Sequence, residues 1–591
     1  MKISEREKIS GIRANFALCC GLVLLLTMFS EGEASNVIIG ANDFDRLSGA
    51  IKHDTKGLMV DIQQDMNFTA AIKVYRGNLS ISGVTKENRV RLDGNNENRF
   101  FVFGKDLQNI RLKNLHFDKG YSNTASDNEK SGGAIYIKGK TDVILENTAF
   151  SGNRAKLCGG AVFYSGDKDS NEDNDLIFEG KTIFYANESI ENSGGAVEVD
   201  YSNLIFREET KFENNKSPEF GGAIVLYSEK GNEVDRDLKF EKAATFFNNK
   251  SKSGGAIFSQ GDAYNRNTIT FEKVAIFERN QANRENSSGG GAILALYSDA
   301  IFKDEAVFRE NGSKFKGGAI LLDSKGINDK NSSLKFEKAV TFFANESKKN
   351  GGAISSTGSD NIKNVLIFEE KVIFEGNRVT AGEIENGGTI YAINSTLTFE
   401  RLVIFEKNSS AKHGGAIFSY YNTSMIFNDG LCLIGNVTED GESGAIYMNG
   451  ENSDRLATIT LIQKNPLVPT EFRGNKSGAD RNGSNAVYME KYSQFKFTVE
   501  KGNVDVYDVF TGDKTKDTNI ITIYKGEGWL NIEKGGSLEN VKVVNGGNLK
   551  LAGESRGLNL TTFENSGIIR FEILSGGGAK IKANSITLNA G

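Results

Sequence analysis

Proline, tryptophan and histidine are scarce in this chain of 591 residues, which holds three, one and three of them respectively. The histidines (His53, His116 and His413) are scattered along the sequence and make no metal-binding set. A long basic block is also missing from a chain of net charge −6, so we expect no nucleic-acid partner. Against these gaps stand 66 glycines and 39 phenylalanines. Many turns and one favoured aromatic residue indicate a regular β architecture with a recurring inward slot.

Long hydrophobic runs are missing as well, with one exception near the N-terminus. FALCCGLVLLLTMF (16–29) follows several basic residues and precedes the small residues Gly32 and Ala34. The run is short for a membrane span, and the pattern is typical of a secretory signal. We predict a signal peptide over 1–34; the alternative is an anchor helix that stays attached.

A four-residue phrase, Gly-Gly-Ala-Ile with Val or Thr variants, recurs through the middle of the chain. It includes Ala134 and Ile135 in its first copy, and degenerates to SGAI at Ser443. Its copies start at Gly132, Gly159, Gly194, Gly221, Gly254, Gly290, Gly317, Gly351, Gly387 and Gly414. The steps of 27 to 36 residues are too regular for separate domains and indicate a tandem repeat.

A second phrase, Phe-x-x-Asn, precedes most of these glycine pairs by 5 to 10 residues. The copies are Phe150/Asn153, Phe184/Asn187, Phe212/Asn215, Phe246/Asn249, Phe277/Asn280, Phe308/Asn311, Phe342/Asn345, Phe374/Asn377 and Phe405/Asn408. A third element, an apolar residue followed by x-Phe, starts 11 positions before the Asn, as in LIFEGKTIFYAN (176–187).

Each unit therefore holds three short alternating runs, and such runs are typical of half-buried strands. Three strands per coil of roughly 27 residues indicate an all-β fold, a right-handed, single-stranded parallel β-helix of the pectin-lyase-like kind. Because successive coils lie ~4.8 Å apart, like residues stack on like. We expect stacked phenylalanine columns, an asparagine hydrogen-bond ladder with the Asn in a left-handed or bridge conformation, and tight corners at glycine pairs such as Gly132–Gly133, Gly221–Gly222, Gly254–Gly255 and Gly351–Gly352.

The repeat also predicts the organisation of the chain. Residues 35–131 would hold a cap and the first coils, 132–475 the repeats, and 476–591 shorter coils without a translocator barrel. Polar insertions such as YSEKGNEVDRD and DSKGINDKNSS recur about 97 residues apart at one turn, which predicts protruding loops on one edge. Cys158 and Cys432, ten coils and about 48 Å apart, should be free thiols.

Paired GGA(I/V) and Phe-x-x-Asn repeats in an exported chain resemble the chlamydial polymorphic membrane proteins and related autotransporter passengers. The resemblance covers about 150–475. It implies a β-helical adhesin at the outer-membrane surface or outside the cell, with both motifs implicated in attachment to a host-cell protein or glycan. Two features depart from the family: cysteine is scarcer, and no barrel pattern ends the chain, so outer-membrane association would need a separate or missing barrel.

Two functions remain open on the sequence alone. An adhesin would use the exposed insertions, because the motif residues read equally well as corner and core positions with no partner. A polysaccharide lyase or hydrolase is the alternative, but its paired carboxylates should break the repeat. The acids here obey the repeat, once per coil, and no calcium-binding nonapeptide is present. We therefore expect no catalytic residues, metal or cofactor.

Overall fold

The structure, a computed structural model, describes residues 35–53, 57–84, 89–123, 130–168, 175–228, 234–262, 264–285, 289–324, 331–380, 387–478, 483–574 and 577–588. The predicted signal peptide lies outside these residues. Almost every strand pairs in parallel with the strand one coil earlier and one coil later. The fold is the predicted parallel β-helix, with three longer strands and one two-residue strand in a typical coil.

The Phe-x-x-Asn strands stack in a column that we call the FxxN column. In the part of the chain that the structure describes, its strands are Met66–Asn67, Val90–Asp93, Leu115–Asp118, Ala149–Ser151, Thr182–Tyr185, Thr210–Glu213, Ala244–Phe247, Ala275–Glu278, Ala306–Arg309, Val340–Phe343, Val372–Glu375, Val403–Glu406, Leu431–Ile434, Glu471–Arg473, Asn503–Val506, Trp529–Ile532, Asn548–Leu551 and Ile568–Phe571.

The strands that follow the glycine pairs form the GGAI column. They are Ile72–Val74, Phe101–Phe103, Ile135–Lys138, Val162–Ser165, Val197–Asp200, Ile224–Tyr227, Ile257–Gln260, Ile293–Leu296, Ile320–Asp323, Ile354–Thr357, Ile390–Ile393, Ile417–Tyr420, Ile446–Asn449, Gly483–Met489, Val509–Gly512 and Ser537–Glu539.

The apolar-x-Phe strands form the LxF column. They are Ser35–Ile39, Leu58–Ile62, Leu79–Gly83, Ile110–Lys113, Val143–Glu146, Asp175–Glu179, Asn203–Phe206, Asp237–Phe240, Asn267–Phe271, Ser298–Phe302, Ser333–Phe336, Asn364–Phe368, Ser395–Phe399, Ser424–Phe427, Ala457–Gln463, Ser493–Val499, Ile520–Tyr524 and Lys542–Asn545. Gly557–Asn565 and Ile581–Leu588 are long enough to continue both this column and the GGAI column.

Two-residue strands directly after the Asn corner make a fourth, narrow column. They are Tyr121–Ser122, Arg154–Ala155, Glu188–Ser189, Lys250–Ser251, Gln281–Ala282, Gly312–Ser313, Glu346–Ser347, Arg378–Val379, Ser409–Ser410, Val437–Thr438 and Lys476–Ser477. Antiparallel pairing occurs between Lys476–Ser477 and Gly483–Met489, and between Ile573–Leu574 and Gly577–Gly578.

Two columns of phenylalanine fill the interior, as the repeat predicts. In the LxF column the rings from Phe178 to Phe427 stack nearly parallel, for example Phe240 on Phe271 at 4.8 Å. The rings of the FxxN column stack in the same way and meet the first set edge-on, as Phe240 meets Phe246 at 5.6 Å. Both arrangements are favourable for aromatic quadrupoles, and each fully buried ring adds about 1.5–3 kcal/mol from its area alone.

The N-terminal coil is covered by a helix that the sequence reasoning missed. Phe44–His53 is the one helix among the described residues, and its buried Phe44, Leu47 and Ile51 recur at helical spacing. The Phe44 ring contacts Phe68 of the first coils edge-on at 5.2 Å. The helix thereby closes the open end of the hydrophobic interior, which would otherwise be an edge for aggregation.

Cys158 and Cys432 are both free thiols, as the coil count predicts. Cys432 faces outward in the FxxN column, beside the carbonyl of Pro469. Burial raises the pKa of Cys432 to about 11 and holds the pKa of Cys158 well above its ordinary value. Neither cysteine is therefore a reactive thiolate at neutral pH.

Candidate functional site

The first glycine of nearly every pair adopts a backbone conformation that other residues rarely take. Gly132, Gly221, Gly254 and Gly351 have φ between +57° and +68°. The second glycine meets the next coil instead: a Cβ on Gly318 would lie 2.0 Å from the carbonyl oxygen of Gly352. One glycine is thus required by its own conformation and the other by the backbone stacked on it.

The asparagines form a continuous ladder. Asn345 donates from Nδ2 to the Phe308 carbonyl at 2.9 Å and to Oδ1 of Asn377 at 3.0 Å, and its own Oδ1 accepts from Asn311. The same bonds repeat from Asn153 to Asn475, where the carboxylate of Asp508 takes the last place. Every Asn from Asn153 to Asn475 in this ladder is fully buried.

The left-handed corner residue is not the Asn, as the sequence reasoning expected, but the residue before it. Asn214, Arg279, Ala344 and Lys407 have φ between +51° and +58°. The ladder asparagines have no positive φ, and their side-chain amides bond from coil to coil. These side chains then satisfy the backbone groups that the corner frees.

None of the motif side chains singled out from the sequence is exposed. Ala134, Ile135, Phe150, Phe184, Phe246 and Phe342 are each at most 1% exposed, and Asn153, Asn187, Asn249 and Asn345 are at 0%. The glycines of the four pairs named above are buried too. The motifs therefore hold coil to coil and offer no side chain to a partner.

A second layer of buried residues lies on the outward face of the GGAI column. Val225, Phe258, Leu294 and Leu321 form one outward cluster, and Tyr391, Phe418 and Tyr447 another. Both are covered by the segment that leads from the Asn corner to the glycine pair, as when Phe220 stacks on Phe258 at 4.6 Å. The continuous apolar runs IVL, ILA and ILL were the signal for this layer, because strands buried on both faces lose their alternation.

Glu198 interrupts this outward layer. It lies in register between Phe163 and Val225 and is 6% exposed. Burial raises the pKa of Glu198 to about 7, and burial beside Glu198 also raises the pKa of Asp200. The outward layer thus carries two carboxyl groups with raised pKa values at one coil.

Most of the acids that recur once per coil on the LxF column form ion pairs. Arg111 donates to Glu146 at 2.7 Å and to Glu179 at 2.9 Å, and Lys335 bridges Glu337 and Glu369 at 3.0 Å each. These pairs link successive coils at the surface and are of the kind that contributes about 0–1 kcal/mol each. Their arrangement is that of a solvated structural edge.

The turn between the GGAI and LxF strands is the irregular edge of the helix. The predicted insertion loops at 228–237 and 324–333 lie largely outside the described residues. In earlier coils the same turn carries a groove of about 700 Å³. Its lining includes Lys105, Lys138, Lys168, Tyr136 and Phe163.

Aromatic rings form the floor of this groove and lysines its rim. Tyr136 and Phe163 lie 5.4 Å apart, and the Lys138 ammonium sits 5.0 Å above the Tyr136 ring. Lys105 and Lys168 are exposed in the neighbouring turns. Three lysines and one carboxylate, that of Asp167, line the groove, so its lining is net positive on a chain with net charge −6. We call it the lysine groove.

A family model, the Chlamydia polymorphic membrane protein repeat, matches residues 243–260 and 402–420. Both matched segments run through one Phe-x-x-Asn phrase to the following GGAI strand. The matched repeat is therefore the Asn corner and the glycine corner described above, and the resemblance to polymorphic membrane proteins is confirmed.

Three curated relatives are similar over parts of their length. Probable outer membrane protein pmp21 of Chlamydia pneumoniae is 26% identical over 45% of this chain and 17% of its own length. Probable outer membrane protein PmpG of Chlamydia muridarum is 29% identical over 39% and 25%, and probable autotransporter YfaL of Escherichia coli is 27% identical over 35% and 15%. The matched region thus spans at most a quarter of these relatives. No solved structure matches the chain.

The relatives agree with the localisation expected from the sequence. Two are named as outer membrane proteins and one as an autotransporter. A passenger-type β-helix and an outer-membrane or extracellular location are consistent with all three names.

Proposed function

We propose that this chain is an adhesin-like passenger, a rigid β-helix that presents its irregular turn edge to a host-cell or matrix partner. The observation that carries the proposal is the burial of every motif residue singled out above. The repeated positions are buried between stacked coils, so a partner can be recognised only where coils differ. Coils differ most at the turn between the GGAI and LxF strands.

The lysine groove is the described part of that edge with the features of a contact site. The half-buried Tyr201 ring, which also lines the groove, would supply apolar contact, and the lysines would steer an acidic partner. The names of the relatives support surface exposure. We propose an acidic protein or glycan of the host-cell surface as the partner.

A polysaccharide-degrading enzyme is the weaker candidate. Its chemistry needs two carboxylates, or a base, set apart from structural duties. Most of the recurring glutamates on the LxF column instead form ion pairs with Arg or Lys of the same or nearby coils. Incubating the protein with uronic-acid polymers and measuring unsaturated or reducing ends separates the two functions; turnover there would overturn the adhesin proposal.

The direct test compares two lysine-to-serine triple variants in a cell-attachment assay with protein-coated beads. K105S/K138S/K168S removes the positive charge from the rim of the groove. Serine is a suitable replacement because Ser165 is in register with Lys138 in the next coil. K242S/K338S/K371S removes three exposed lysines from the opposite, fixed-length turn. We expect the first variant to lose attachment and the second to keep it. Equal attachment by both would contradict the proposal.

A further inference from the structure

A notch in the FxxN column lies on a different face from the lysine groove. Along the outward positions of this column, small Ala149 and Ser151 lie between His116 on one side and Ile183 and Tyr185 on the other. The step from large to small to large side chains leaves a cavity of about 400 Å³, which Arg89 also lines. We call it the Arg89 notch.

On the polar side of the notch, the hydrogen bonds fix which groups are donors and which are acceptors. Ser151 Oγ donates to Asp118 at 2.5 Å, so its single proton is used. His116 Nε2 lies 2.7 Å from the same oxygen and must be the donor there. Burial lowers the pKa of His116, which keeps the imidazole neutral near pH 7. Its Nδ1 is then a hydrogen-bond acceptor, with no partner among the described residues.

The order also excludes a hydrolase triad. In such a triad the histidine accepts the serine proton and the carboxylate orients the histidine. Here the Asp118 carboxylate accepts the hydrogen bond from the serine hydroxyl directly. Arg91 Nε donates to the same carboxylate at 2.8 Å. The cluster is therefore not arranged to activate the serine.

Arg89 contributes a cation that is already positioned. Its Nε and Nη2 donate to the Asn147 carbonyl and Oδ1 at 2.9 Å each, and Nη2 also donates to the Lys181 carbonyl at 2.6 Å. The third nitrogen, Nη1, makes no bond to any described residue. Burial lowers the pKa of Arg89, and no carboxylate of the described chain opposes that effect. A half-buried guanidinium without an acid partner favours an anion from outside.

The far wall of the notch is apolar and open to solvent. Ile183 is 38% exposed and Tyr185 is 46% exposed. A tyrosine ring of this kind can stack on the apolar face of a sugar or another flat ring. The notch therefore joins one cation, one neutral acceptor and one exposed ring within a single small cavity.

We propose that the Arg89 notch binds a carboxylate-bearing saccharide unit. The carboxylate would bind Arg89 Nη1, a ring hydroxyl would donate to His116 Nδ1, and the sugar face would pack on Tyr185. A free phosphate or sulfate ion satisfies the cation but brings no ring to pack on Tyr185, and neither does a carboxylate side chain. The inference does not rest on the lysine groove or on the adhesin proposal, and either can fail alone.

The test is a calorimetric or ligand-detected NMR titration of the whole chain with defined probes. Sialyllactose and a glucuronate-containing tetrasaccharide supply two sources of the carboxylate, lactose is the neutral control, and tri-glutamate is the acidic peptide control. We expect one or both acidic sugars to bind at least about tenfold more tightly than lactose and tri-glutamate. Equal binding of tri-glutamate, or no binding of either acidic sugar, would overturn the proposal.

Variants that copy neighbouring coils keep the fold while changing the notch. A149I fills the cavity with isoleucine, the residue that lies in register in the next coil at Ile183. Y185E puts a carboxylate at the mouth of the notch and likewise copies the next coil, where Glu213 is in register with Tyr185. Both should remove the acidic-sugar signal with an unchanged thermal midpoint. T245I makes the same kind of change three coils from Ala149, next to Ile276, and should bind normally. Undiminished binding by A149I would place the ligand elsewhere and contradict the assignment.

Discussion

The Asn corner and the turn between the GGAI and LxF strands are two edges of the same coil, and they follow opposite rules. The corner repeats with fixed spacing, is fully buried, and passes hydrogen bonds from Asn153 to Asp508. The turn varies in length and holds the lysine groove. Repetition inside one chain thus marks fit between coils, while departures from the repeat mark the surfaces that can distinguish partners.

The glycine corner is as repetitive as the Asn corner, and the largest effect should come from adding one carbon to a glycine there that meets the next coil. Gly318→Ala would place Cβ 2.0 Å from the Gly352 carbonyl oxygen, and neither backbone can move without breaking the stack. We expect a loss of about 4 kcal/mol or more in the free energy of unfolding, measured by urea denaturation.

Gly376→Ala is the matched control for that variant. Gly376 has a positive φ, which Gly318 lacks, but a Cβ there meets nothing within 4 Å, and Ala344 adopts the same conformation one coil earlier. Its cost should stay near 1 kcal/mol. Similar losses for both glycines would contradict the claim that the close approach of the next coil is what requires a glycine at Gly318.

Removing one member of the asparagine ladder should have the next largest effect. Asn345→Ala deprives Asn311 of its acceptor and leaves the Phe308 carbonyl without its donor. We expect a loss of about 3 kcal/mol, with faster hydrogen exchange at the Asn311 amide. Glu346→Ala, one residue on and exposed, should be near neutral; a silent Asn345 variant would count against the ladder as a stabilising element.

The buried acid on the outward layer predicts a pH dependence. Because the folded pKa of Glu198 is raised from 4.5 to about 7, its contribution is present in full below pH 4.5 and is lost as the pH rises through 7. Between pH 5 and pH 8 the wild type should lose about 2 kcal/mol of stability that Glu198→Gln does not lose. Parallel pH profiles for the two proteins would argue against this.

The turn edge should give the smallest effect on stability. K105S/K138S/K168S changes exposed or half-buried lysines in variable turns, so its free energy of unfolding should stay within about 0.5 kcal/mol of the wild type. A thermal melt checks this. A large loss would mean that the groove is structural, and it would remove the contrast between the two edges.

Much of the fold follows from the sequence because each coil must match its neighbours. The spacing of Phe and Asn predicts the stacked columns and the ladder, and the coil count predicts free Cys158 and Cys432. The prediction of a left-handed conformation at the ladder Asn was wrong by one position, since the sequence pattern does not show which residue at the corner adopts the positive φ. The capping helix Phe44–His53 was missed because it occurs once and carries no repeat.

The candidate sites were harder to predict for a related reason. His116 and Ser151 are 35 residues apart, and only the register of successive coils brings them together. The lysine groove likewise draws on three successive turns, none unusual alone. Positions that depart from the column pattern, such as Glu198 and Ala149, were the available signal once the register was known.

The most direct measurement compares attachment of two folded variants to the same host cells. F308L breaks one Phe-x-x-Asn motif, but it should keep the fold because leucine already occupies the equivalent position at Leu433 of the FxxN column. K105S/K138S/K168S leaves every motif intact. The account predicts that F308L attaches like the wild type and the lysine variant does not. Loss of attachment by folded F308L, with the lysine variant unaffected, would contradict it.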